Sequence, residues 1–103
     1  MYKVEFSPRS LKDLANVNKN ISNENGYDNK NKKLNDVLIE IKGLQDYPYS
    51  GVDLGKKLDV PSDYRYSLIK ENYVFYHIED EKVRIARVLN KKQEYLKQLL
   101  VNI

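Results

Sequence analysis

Tyr64-Arg65-Tyr66-Ser67-Leu68-Ile69, Tyr73-Val74-Phe75-Tyr76-His77-Ile78 and Val83-Arg84-Ile85-Ala86-Arg87-Val88-Leu89 decide the fold. All three runs are rich in aromatic and β-branched residues, the composition of strands half-buried in a sheet. Short polar connections near Glu71-Asn72 and Asp80-Glu81 separate them, so they read as consecutive antiparallel strands joined by hairpins. Two-residue loops at both points place Tyr66 opposite His77, and His77 opposite Arg84. Alternation then divides the side chains between two faces. Val74, Tyr76, Ile78, Val83, Ile85 and Leu89 form an aliphatic face expected beneath helices. Tyr66, Leu68, Tyr73, Phe75, His77, Arg84, Ala86 and Val88 form the other, aromatic with a basic edge.

Upstream, Tyr2-Lys3-Val4-Glu5-Phe6 alternates as a short strand, and Ser7-Pro8 is a helix start, with Ser as N-cap and Pro at the first helical position. Leu11, Leu14, Ala15 and Ile21 predict a weak first helix from about Pro8 to Ser22. Leu34, Val37, Leu38, Ile41 and Leu44 predict a stronger second one from about Tyr27 to Gln45, and the two are expected to form an antiparallel hairpin. Tyr47 to about Pro61 reads as irregular. After the three strands, Leu96, Leu99 and Leu100 predict a short amphipathic helix over Gln93 to Val101, able to cover part of the aromatic face. The order is that of an α+β domain with helices on one face of a sheet.

With 103 residues the chain suits a single domain spanning 1–103, too small for a second core or a barrel. It contains no cysteine, which excludes disulfides, thiolate metal sites and a Cys nucleophile. No apolar h-region opens it, and no window is long and apolar enough to span a bilayer; a cytoplasmic protein without a membrane partner is expected. The net charge is only +3, yet residues 82–97 hold six basic side chains (Lys82, Arg84, Arg87, Lys91, Lys92 and Lys97) against Glu94. Such a run suits an anionic partner or a solvated surface. One His, nine Tyr and no Trp complete the chemically informative composition. An aromatic and basic face can stack bases and hold phosphates, and a Tyr66, His77, Arg84 row would put a proton shuttle beside a phosphate ligand. The same residues also pair well across strands for purely structural reasons. No glycine-rich phosphate loop and no metal-ligand cluster is present, and no cofactor is expected.

The three strand runs, together with Phe6-Ser7-Pro8, Asp13-Leu14 and the Leu44, Pro48, Gly51 spacing, resemble the RelE/ParE toxin superfamily in order and over nearly the whole chain. The resemblance implies the toxin of a type II toxin–antitoxin module. Its implied partner is a small antitoxin whose extended tail blocks the toxin's working surface, with operator DNA contacted only through that complex. Two activities follow from the resemblance. RelE-like toxins cut mRNA on the ribosome without metal, and so are enzymes; ParE-like toxins poison DNA gyrase and cut no RNA. Tyr73 stands where RelE-like toxins place a strand arginine, Lys92 or Gln93 where they place another, and Leu99, with Tyr95 nearby, at their late tyrosine. The long helical hairpin is more similar to ParE, and the expectation leans to gyrase. Under the nuclease alternative, His77, Arg84, Arg87 and Tyr95 are the catalytic candidates. Arg65, Tyr66, Tyr73, Lys91 and Lys92 are the candidates for holding nucleic acid or target. A degenerate toxin acting only as a binding module is the third reading.

Overall fold

A computed structural model describes residues 2–19, 26–58 and 62–90. The elements are β1 (Lys3–Phe6), α1 (Pro8–Lys19), α2 (Gly26–Lys42) with a 3₁₀ turn at Gly43–Gln45, β2 (Val52–Asp53), α3 (Leu54–Leu58), β3 (Arg65–Ile69), β4 (Asn72–Glu79) and β5 (Lys82–Asn90). The expected C-terminal helix lies outside the described residues. The strands form one sheet in the order β1-β5-β4-β3-β2. β1 runs parallel to β5, and every other pair is antiparallel. The stretch read as irregular holds β2 and α3; a two-residue strand and a five-residue helix are too short for periodicity to announce.

Ser7 starts α1 as the sequence predicts. Its Oγ accepts the Ser10 N–H at 3.0 Å and donates to the Ala86 carbonyl at 3.0 Å, so one hydroxyl caps the helix and pins it to β5. Ser7→Ala is expected to cost about 1–2 kcal/mol, read from urea unfolding; an unchanged midpoint would remove Ser7 from the stabilising contacts.

The buried stripe of α1 differs from the one predicted. Ser10, Asp13, Leu14 and Val17 are buried, whereas Leu11 is 55% exposed and Ala15 is exposed. Two polar residues occupy the inward face because each has a partner there, and a purely apolar reading passes them over. Ile21 lies outside the described residues. Val37 and Ile41 on α2 and Leu44 in the 3₁₀ turn are buried, and Leu34 and Leu38 pack beside them, as predicted. These helices cover Val74, Tyr76, Val83, Ile85 and Val88 of the sheet, with Val4, Phe6 and Ile78 at the margin. A smaller cluster of Leu54, Phe75 and Leu89, flanked by Tyr64, Tyr66 and Tyr73, occupies the opposite face.

Two details of register correct the sequence reading. The β3–β4 turn is Lys70-Glu71, with Ile69 opposite Asn72, so Tyr66 lies opposite Phe75 and not His77. In the other hairpin His77 lies opposite Arg84, as predicted. Further along, Phe75 pairs with Arg87 while Tyr76 pairs with Ile85, leaving Ala86 as an extra residue in β5. This β-bulge reverses the alternation beyond it. Val88 therefore joins the helix-covered core and Leu89 the aromatic cluster, the reverse of the expected assignment.

Both hairpin turns put their central residues in the left-handed region: φ is 47° at Lys70, 67° at Glu71, 53° at Asp80 and 59° at Glu81. This is the type I′ pattern, which matches strand twist but favours Gly and Asn. Glu81→Gly is expected to stabilise the chain by about 0.5–1 kcal/mol, since a Cβ-bearing residue is strained there. Thermal unfolding checks it, and a lowered Tm would count against the turn assignment.

Candidate functional site: an aromatic sheet face

The sheet face turned away from α1 and α2 carries the candidate site. Strand pairing sets Val52, Tyr66 and Phe75 in one row across β2, β3 and β4, with Leu68, Tyr73 and Leu89 in the next. The rings touch edge to face or tilted: Tyr66 and Tyr73 centroids are 5.6 Å apart at 80°, Tyr66 and Phe75 5.9 Å, Tyr73 and Phe75 6.1 Å. Phe75 is fully buried beneath them, whereas Val52 and Leu68 are 45% and 55% exposed. Rings locked by one another present apolar area at little entropic cost.

His77 sits at the other end of this face, half-buried. Its ring is 5.1 Å from that of Tyr64, tilted by 59°. The row is thus Tyr64, His77, Arg84, with Tyr64 in the place the sequence reading gave to Tyr66. Alternation from Tyr66 puts Tyr64 on this face, so the signal was present and the misplaced turn concealed it. Arg84 lies between two carboxylates. Its Nε is 3.8 Å from Glu5 Oε1 and 3.8 Å from Glu79 Oε2, buried and without a hydrogen bond, while 42% of the side chain is exposed. Lys82 Nζ shares Glu5 at 3.7 Å. Positive charge here is matched by negative charge at close range.

Of the other two arginines named from the sequence, Arg65 lies on the opposite face from the rings, whereas Arg87 pairs with Phe75 and enters β5 on their side, its guanidinium bound to Asp13 of α1. Arg65 pairs with Tyr76 and so lies on the opposite side of β3 from Tyr66. Its Nη1 donates to the Gly51 carbonyl at 3.0 Å and to the Tyr49 carbonyl at 3.4 Å, and its guanidinium lies 5.2 Å from the Tyr49 ring centroid. Asp53 adds an ion pair at 4.0 Å. Arg65 therefore braces the loop before β2. Tyr49 also hydrogen-bonds the Tyr2 phenol; that bond, then the charge Tyr49 would carry, raises the Tyr2 pKa above its usual value.

Arg87 forms a two-pronged pair with Asp13. Nε donates to Oδ2 at 2.8 Å and Nη2 to Oδ1 at 3.0 Å, and Asp13 Oδ2 also accepts the Val88 N–H at 2.9 Å. β1 ends opposite Ile85, so Asp13 caps the edge of β5 beyond it. Lys91, Lys92 and Tyr95 lie outside the described residues. Among the described residues no group of His, Asp and Glu could hold a metal ion, and no helix is long and apolar enough to cross a membrane. The site thus brings together Tyr66 and Tyr73 at one end and His77 and Arg84 at the other, with Tyr64 at the His77 ring. Arg65 stands apart on the opposite face, and Arg87, opposite Phe75, is held by Asp13.

Comparison with known proteins extends this geometry. The sequence matches the family model of the ParE toxin of type II toxin–antitoxin systems, parDE, over residues 4–95. The chain belongs to the ParE toxin family. Its fold is also similar to a solved structure described as the chromosomal ParDE TA system from P. aeruginosa, with a TM-score of 0.73 and 14% identity over 87% of this chain and 96% of that one. No curated protein matches it. Apart from Lys3 at the start of β1, the five strands and three helices described above fall inside the region matched by the ParE model.

Proposed function

We propose that this chain is the toxin of a type II pair, held inactive by a small cognate antitoxin, and that it acts in the cytoplasm on DNA gyrase rather than on mRNA. Family membership supports the toxin reading. The observation that carries the choice of target is the state of the arginines. Arg65 is bound to main-chain carbonyls, Arg87 to Asp13, and Arg84 is flanked by Glu5 and Glu79. RNA cleavage through the neighbouring 2′-hydroxyl needs positive charge free to meet the phosphate, as well as an acid and a base. A face of interlocked rings with exposed Val52 and Leu68 and balanced charge suits docking on a protein.

The purified chain is expected to inhibit gyrase supercoiling in vitro. Its induction in cells should give a DNA-damage response and filamentation with mRNA intact, and coexpression of a cognate antitoxin should restore growth. Rapid translation arrest with cleaved mRNA would overturn the gyrase reading. His77, Arg84, Arg87 and Tyr95 would then carry the chemistry, with Lys91 and Lys92 on the RNA, and His77→Ala would abolish toxicity while sparing antitoxin binding.

A further inference from the structure

We draw no further inference here: the strongest candidate, the exposed apolar end of the sheet face formed by Val52, Tyr66, Leu68 and Tyr73, belongs to the site already described, and nothing in the structure shows what covers it.

Discussion

Replacing Gly51 by alanine is expected to destabilise the fold by about 3 kcal/mol. A Cβ at this position would collide with the Tyr76 hydroxyl and lie 2.9 Å from both Tyr76 Cε1 and the Tyr66 carbonyl oxygen. Neither neighbour can yield cheaply. Tyr76 is fully buried, and the Tyr66 carbonyl belongs to β3. The Gly51 N–H also donates to Tyr76 Oη at 2.9 Å, so any shift that relieves the collision breaks a buried hydrogen bond. A loss of this size is a large part of the roughly 5–15 kcal/mol that holds a domain folded. The accompanying change is Tyr76→Phe, expected to cost about 1–3 kcal/mol by leaving the Gly51 N–H unpaired. In the double variant the hydroxyl is absent, so part of the collision disappears and the losses should sum to less than the two singles. Urea denaturation of the four proteins checks this. Strict additivity, or a Gly51→Ala loss below about 1 kcal/mol, would mean that the loop is free to move off β3.

The same loop marks the limit of what the sequence makes legible. The helix-covered core reads directly from periodicity, because Val37 and Ile41 on α2, Leu44 in the turn that extends it, and Val74, Tyr76, Val83 and Ile85 on the strands repeat at the spacings that burial imposes. The Asp80-Glu81 turn reads correctly because two acidic residues interrupt two alternating runs. At the other turn Asn72 misleads. It resembles a turn residue, yet it is buried as the first residue of β4, and its Nδ2 donates back to the Lys70 carbonyl at 2.9 Å, bracing the turn from inside the strand. Moving the turn by one residue moves every partner by two, so side chains keep their faces while the row through His77 changes from Tyr66 to Tyr64. The Ala86 bulge leaves no mark in composition, and the exchange of Val88 and Leu89 between faces follows from it alone. Candidate site residues chosen by type are harder still. Arginine suits phosphate, but whether its fork is free depends on distant carboxylates and carbonyls, and no local pattern names Glu5, Asp13 or Gly51 as those partners.

Asp13 and Arg87, 74 positions apart, make the second large prediction. Only 7% of the Asp13 side chain and 22% of the Arg87 side chain is exposed, so the pair is mostly out of water. Removing one partner of such a pair leaves the other charge buried without compensation, a loss of about 3–5 kcal/mol. Asp13→Ala should reach the upper part of that range, because it removes the two hydrogen bonds Asp13 makes to Arg87 and also leaves the Val88 N–H uncapped at the edge of β5. Asp13→Asn should lose less, since an amide oxygen can still accept from Val88. Arg87→Lys should fall between wild type and Arg87→Ala, as an ammonium keeps the charge but cannot present two parallel N–H groups. Measured as a double-mutant cycle in urea, Asp13 and Arg87 should couple by more than about 1 kcal/mol. This separates a structural Arg87 from a catalytic one. A structural Arg87 predicts that toxicity falls in step with the folded fraction and returns when Lys restores the fold. A well-folded Arg87→Ala chain that has lost toxicity would instead give this arginine a role at the target.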